Sequence, residues 1–313
     1  MMQIANLKFN PIVWIVLVAV LMATILSFLS PFFFTIGNMT NLSKQVSIVA
    51  ILAAGQAVVI ISGGIDLSVG SVLAFSAVVI GTLIQMDINP TVAMFAGLFS
   101  GTFAGCINGL VITWAKIPPF IATLGMLGIA RGMALVITGG VSHPVLSPLF
   151  LYIGNAKLLG IPIPVYFVAL TFFVIGVMMH KTVFGQHVYA IGGNERVARL
   201  QGIPVDRQKV KIYALSGFLA AMAAIVMTGR LAATPPSVAQ AIELQAIAAV
   251  IIGGVSFVGG RGLVLTALVG ALIMAMITNG LNILGISSFY QQVLIGIVII
   301  IAVWLDNLKS SGR

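Results

Sequence analysis

Thr91-Val-Ala-Met-Phe-Ala-Gly-Leu-Phe-Ser-Gly-Thr-Phe-Ala-Gly-Cys-Ile-Asn-Gly-Leu-Val-Ile-Thr113 contains no Asp, Glu, Lys or Arg. As a helix it would be ~34 Å long at ~1.5 Å per residue, enough to cross a hydrocarbon layer of ~30 Å. Gly97, Gly101, Gly105 and Gly109 recur every fourth residue and form a flat seam on one side, suited to close helix packing. Comparable apolar runs occupy 12–30, 46–62, 67–85, 118–138, 162–180, 212–229, 243–258, 263–283 and 289–305. The pattern predicts an all-α, polytopic transmembrane bundle of about ten spans, with residues 1–313 forming a single membrane domain. The runs are continuous, whereas the strands of a membrane barrel would alternate over ~10 residues. The first run, preceded by Lys8, is read as an uncleaved span because so many spans follow it.

Composition agrees. Of 313 residues, 60% are hydrophobic and 7% charged, which excludes a disordered chain and leaves too few charges to clothe a soluble enzyme. The single cysteine, Cys106, excludes an intrachain disulfide or a cysteine-based zinc site. The net charge of +9 could indicate nucleic acid, but the placement of the basic residues indicates orientation instead, so no nucleic-acid partner is expected. With a cytoplasmic N-terminus and alternating sides, the inner segments hold Lys8, Lys116, Lys181, Arg196, Arg199, Arg207, Lys209, Lys211, Arg261, Lys309 and Arg313. The outer segments hold only Lys44, Lys157 and Arg230, and Arg131 falls within a span. By the positive-inside rule both termini are cytoplasmic. The outer loop 139–161 contains His143, expected to be solvated rather than a ligand.

The one long polar segment, 181–211, holds six basic residues. Within it Asn194, Glu195, Arg196, Val197, Ala198, Arg199, Leu200 and Gly202 read as a short helix. Asn194 is placed to cap it, Glu195 to meet the helix dipole and pair with Arg199, Gly202 to end it, and Pro204 to prevent its continuation. Val197, Ala198 and Leu200 form a small apolar face. Two turns are not stable alone in water. The helix therefore lies on the protein's own inner surface or anionic lipid, or in a groove of a cytoplasmic partner. The chain has no Gly-x-x-x-x-Gly-Lys-Ser/Thr phosphate loop, so an ATP-driven process would draw its energy from another polypeptide.

Ser62-Gly63-Gly64-Ile65-Asp66-Leu67-Ser68-Val69-Gly70 interrupts the apolar pattern. Irregular backbone at membrane depth requires protein or water around it. A mid-membrane Asp costs ~2.5–3.5 kcal/mol on insertion scales, a cost that a turn at the inner interface would avoid. Asp66 fits a cap on the next helix or part of a gate, and the two roles are compatible. Gly253-Gly254-Val255-Ser256, with Gly259-Gly260-Arg261-Gly262, repeats the break. Aligning Gly63-Gly64 with Gly253-Gly254 relates spans one to four to spans seven to ten as a parallel internal repeat. Polar residues in or near spans are Asn108, Thr123, Arg131, Glu243, Asn279 and Asn282. Interhelical hydrogen bonding and a path for a polyhydroxylated ligand would use the same groups. Two carboxylates near spans are few for an ion-coupled secondary transporter, and no span carries a cluster suited to catalysis or metal binding.

These motifs, together with Phe120-Ile-Ala-Thr-Leu-Gly125, Phe184-Gly-Gln-His-Val-Tyr-Ala-Ile-Gly-Gly-Asn194, Ala198-Arg-Leu-Gln-Gly-Ile203 and Glu243-Leu-Gln-Ala-Ile-Ala-Ala249, resemble the permease subunits of bacterial sugar ABC importers. The group is that of ribose, xylose, arabinose and galactosides, and the resemblance spans nearly the whole chain. Asn279-Gly-Leu-Asn-Ile-Leu-Gly-Ile-Ser-Ser-Phe-Tyr-Gln291 and Asp306-Asn307 resemble its ribose branch. Gln245 stands where the family usually has an acidic residue. The resemblance implies an inner-membrane homodimer that imports a monosaccharide, D-ribose above xylose, galactose or a furanone-type signal sugar. Cytoplasmic ATPase subunits or a fused tandem ATPase would carry ATP and Mg, leaving no cofactor in this chain, and a sugar-binding protein would dock outside. It further implies that 194–202 is the coupling helix, within a coupling loop of about 181–211. Gly63, Gly64, Asp66, Ser68, Phe120, Thr123, Asn279 and Asn282 are gate or pathway candidates.

Overall fold

The computed structural model describes residues 11–311; Lys8 and Arg313, used above to assign orientation, lie outside them. The chain runs α1 (Pro11–Leu29), α2 (Ile36–Ile61), α3 (Val69–Gln85), α4 (Pro90–Trp114), α5 (Pro119–Thr138), α6 (Pro148–Asn155), α7 (Ile163–Lys181), α8 (Val183–Gly193), α9 (Glu195–Leu200), α10 (Val205–Leu231), α11 (Ile242–Ile252), α12 (Val264–Ile283) and α13 (Ser288–Ser311). Two-residue strands pair antiparallel between the helices: β1 (His143–Pro144) with β4 (Ala233–Thr234), and β2 (Lys157–Leu158) with β3 (Ile161–Pro162). Each of the ten apolar stretches contains a helix, though in 243–258 it ends at Ile252. Seven of the described helices are long and apolar enough to cross a membrane: α1, α2, α4, α5, α7, α10 and α12. The protein is a multi-pass, all-α membrane bundle.

Burial follows side-chain size and hydropathy. The second half of α2, apolar on all sides but for Gln56, sits at the centre, with Ile48 to Ile61 almost wholly enclosed. The glycine seam of α4 packs along α10: a β-carbon at Gly101 would strike Ala221, one at Gly105 the Tyr213 backbone, and one at Gly109 Val210. Gly97 instead faces Ile80 of α3. α1 lies at the periphery, where Ala19 packs with Ile273, Ala275 and Met276 of α12. Lys44 donates to Asn155 at 2.9 Å and Lys157 to Thr40 at 3.2 Å, at the end of the bundle opposite α8 and α9. The outer cations Lys44 and Lys157 of the sequence reading thus lie at one pole and the 181–211 segment at the other.

Two interruptions shape the interior. α2 ends where Gly63 takes a left-handed conformation (φ +81°), with its N–H bonded to Ile60 O and that of Gly64 to Val59 O. α11 ends in the same way at Gly254 (φ +83°), with its N–H on Ile251 O and that of Val255 on Val250 O. Both ends are Schellman caps, which satisfy the last carbonyls of a helix. The geometric equivalence is Gly63 with Gly254, one residue out of register with the sequence alignment. The two breaks meet: Gly260 N–H donates to Ile61 O at 2.8 Å. α8 closes over them, with Gly192 so tightly against Ile61 O that no β-carbon fits.

The second interruption corrects the eighth span. Residues 243–258 do not cross the bilayer as one helix, and 230–242 is not simply an outer loop. After Thr234, which lies against Gly81, the chain descends until Ala239 and Ile242 lie against Gly70. Gly70 and Gly81 are ~16 Å apart along α3, so α11 begins inside the membrane and spans only its inner half. Two left-handed alanines, Ala239 and Ala241, mark the descent. Arg131 donates to the carbonyls of Pro236 at 2.6 Å and Val238 at 2.8 Å. The in-span arginine therefore satisfies irregular backbone at depth.

Candidate functional site

Asp66 is 1% exposed. It does not lie in an open interfacial turn, because protein encloses it. Its Oδ1 accepts from Ser68 N–H at 2.9 Å and Ser68 Oγ at 2.6 Å, and its Oδ2 from Ser216 Oγ of α10 at 2.8 Å. Asn108 of α4 donates to Ser68 Oγ at 2.9 Å. The carboxylate thus caps the start of α3, as one of its two readings expected, and ties α3, α4 and α10 together. Neighbouring backbone is covered too. Thr123 of α5 and Tyr213 of α10 both reach Ile65 O at 3.4 Å. The Gln56 amide, turned to satisfy both its ends, donates to Asp66 O at 3.1 Å and accepts from Asp66 N–H at 3.3 Å. Gly64 has the Tyr213 hydroxyl where a β-carbon would stand. Gly63, Gly64, Asp66, Ser68 and Thr123 therefore form one cluster. Gln56, Tyr213 and Ser216 belong to it and were missed, because a polar residue inside an apolar run carries no local sign of its partner.

At the α8–α9 pole, the Asn194 side chain accepts from Val197 N–H at 3.1 Å, Glu195 opens α9, and Gly202 is left-handed (φ +80°). Each local feature of the predicted helix is present. Its apolar face divides. Ala198, 2% exposed, packs with Ile191 and Val205, whereas Val197 and Leu200 are 45% and 81% exposed. Arg196 is exposed as well. Arg199 pairs with Glu195 as expected and also with Asp206; Lys209 donates to the other Glu195 oxygen at 2.7 Å. Burial pushes the Glu195 carboxyl up, but the hydrogen bonds and charges of Lys209 and Arg199 outweigh it and hold it below the ordinary range. Asp206 and Glu195 raise Arg199 in turn. A groove of about 600 Å³ separates these charges from the α4–α5 turn at Lys116–Pro119.

The remaining candidates lie apart. Asn279 exchanges hydrogen bonds with Asn38 at 2.8 and 3.1 Å, a closed amide pair joining α12 to α2. Asn282 accepts from Gln291 at 2.7 Å and lines a cavity in the outer half of the bundle. Phe120 is exposed on α5 and outside the Asp66 cluster. His143 is half-buried rather than solvated, with Nδ1 3.4 Å from Thr82 Oγ1. Glu243 lies against Gly70, where its carboxylate leaves no room for a β-carbon. No group of three metal-ligating side chains occurs among the described residues.

Residues 38–303 match the family described as branched-chain amino acid transport system / permease component. The chain is 44% identical to the ribose import permease protein RbsC of Bacillus subtilis over 295 residues, 93% of this chain and 91% of that one. It is 41% identical to its Escherichia coli K12 namesake over 292 residues, 91% and 90% of the two chains. To the D-allose transport system permease protein AlsC of the same strain it is 37% identical over 295 residues, 94% and 90%. No solved structure matches the chain. The resemblance to sugar-import permeases read from the motifs is borne out.

Proposed function

The chain belongs to the family of permease components of branched-chain amino acid transport systems, and from that membership we propose that it is the membrane subunit of an ATP-driven importer of a monosaccharide, D-ribose. Import permeases that it resembles over about nine-tenths of their length carry ribose in their names. In this reading the subunit sits in the bacterial inner membrane and forms no chemical bond itself. A cytoplasmic ATPase hydrolyses ATP, and an extracytoplasmic binding protein delivers the sugar.

The observation that carries the reading is the connection of α9 to the membrane breaks. α9 projects Val197, Leu200 and Arg196 away from the protein, a surface that a cytoplasmic groove would cover. Two turns of helix gain rigidity here from Asn194, the Glu195–Arg199–Asp206 ion pairs and the buried Ala198. Through Asn194, α9 continues directly from α8, whose Gly192 rests on Ile61 O and Gly260. Displacement of α9 by an ATPase would reach both breaks through backbone contacts too tight to absorb it. The ends of α2 and α11 would then move together, which is the element alternating access needs.

A second copy of the chain is part of the reading. Ser237 and Gln240, on the descending segment, are exposed at membrane depth. Beside that segment, α5 presents Gly125 and Gly128 with nothing against them. Lipid does not cover irregular polar backbone, whereas an equivalent face of a partner, or a water-filled path between the two, would.

The test is uncoupling. Gly202→Pro abolishes the left-handed stop of α9, and Leu200→Asp places a charge in the proposed contact. In the assembled complex each is expected to leave the permease inserted and the ATPase active, with sugar uptake lost. Full uptake by both variants would overturn the coupling role.

A further inference from the structure

The outer halves of α2, α10 and α12 and the start of α11 line an open-mouthed cavity of about 180 Å³, closer to one sugar ring than to an oligosaccharide. Gln45, Arg230, Gln245, Thr278 and Asn282 converge on it from four helices. Ile242, at the start of the half-helix α11, and Ala275 complete the lining. One feature sets the cavity apart from a packing defect. Arg230 forms no ion pair among the described residues, and no carboxylate lines the cavity.

The chemistry of the lining selects a class of ligand. An amide both donates and accepts, as does a sugar hydroxyl. Thr278 spends its proton on Met274 O at 3.1 Å, leaving its oxygen to accept. Asn282 accepts from Gln291 through its oxygen, leaving its N–H groups to donate. Ile48 and Met227 supply an apolar wall for the C–H face of a ring. Three amides and a hydroxyl against one cation suit a neutral polyol better than an anion, and two donors or acceptors fixed by neighbours give the site a defined polarity.

We infer that this cavity is a subsite for one neutral monosaccharide, on the outer side of each permease copy and beside the start of α11. It rests on the importer reading and adds to it a place where the membrane subunit itself recognises the sugar, with Gln245 as one of the recognising groups.

The full-length permease in lipid nanodiscs is titrated with labelled D-ribose in the absence of the binding protein. In parallel, the assembled transporter with its ATPase and binding protein is assayed for uptake. The wild type is expected to bind ribose in the millimolar range. Gln45→Leu and Gln245→Leu should each weaken binding about tenfold, the loss expected when one buried hydrogen bond is removed. Gln45→Asn, which keeps the amide, should stay within about threefold, and ribose 5-phosphate should compete less well than ribose. Unchanged affinity in both leucine variants would overturn the subsite, as would stronger binding of the phosphorylated sugar. So would a permease that binds no ribose while the assembled transporter imports it, an outcome that leaves the importer reading intact. Import of no sugar by the assembled transporter would sink both.

Discussion

The inner break at 62–68 and the outer descent at 232–241 both interrupt helices inside the membrane, yet they treat polar groups in opposite ways. At the inner break Asp66 has three donors, and Ile61 and Ile65 have their carbonyls occupied. At the outer descent Arg131 secures two carbonyls, while Ser237 and Gln240 remain exposed and Gln45 and Arg230 face a cavity. A membrane rewards only backbone that is fully satisfied, by protein or by water. The inner break is a joint, closed by protein. The outer descent leaves polar side chains at the surface.

The contrast can be broken most forcefully at Asp66. Asp66→Ala strands three donors in a dry interior and is expected to cost about 3 kcal/mol or more, where Ser216→Ala, which removes one, costs about 1 kcal/mol. Thermal unfolding of the detergent-solubilised permease measures both, and equal losses would mean that Asp66 is not the centre of the joint. Arg131→Ala should cost about 1–3 kcal/mol by freeing the Pro236 and Val238 carbonyls. It should also raise hydrogen exchange at 235–241 while leaving 62–68 protected. Exchange rising equally in both regions would show that they are one unit.

The smallest effect concerns α9. A carboxyl held below its ordinary value in the folded chain contributes stability that is complete above that ordinary value. The contribution is lost as pH falls through the depressed one. Local protection of 195–209 should therefore be flat at neutral pH and decline only in acid below the ordinary glutamate range. Solvent screening of these partly exposed pairs keeps the change small. Glu195→Gln should lessen the decline and leave the part due to Asp206, which Arg199 also holds low; an unchanged acid profile in that variant would show that Glu195 does not contribute.

How far each region was legible follows from the range of its interactions. α9 was readable residue by residue, because Asn194, Glu195, Arg199 and Gly202 act on neighbours within one or two turns. Even there, Asp206 and Lys209 joined the charges only through the start of α10. The glycine seam of α4 announced a close neighbour without naming α10. Arg131 read as an isolated in-span charge until the 232–241 segment was found beneath its guanidinium. The repeat alignment was out by one residue, since a run of glycines does not say which of them turns left-handed.

By itself the sequence determined that the chain lives in a membrane, how many apolar segments it has, which end carries the basic residues and where a short cytoplasmic helix starts and stops. All of these depend on hydropathy, charge and capping within a few residues. Tertiary structure alone decided that Asp66 is paired with Ser216, 150 residues away, that the two breaks touch, and that the eighth apolar stretch is a half-helix. The reason is physical. A buried polar group or an irregular backbone is tolerated only by partners that reach it in space, and in this bundle those partners come from helices distant in the chain.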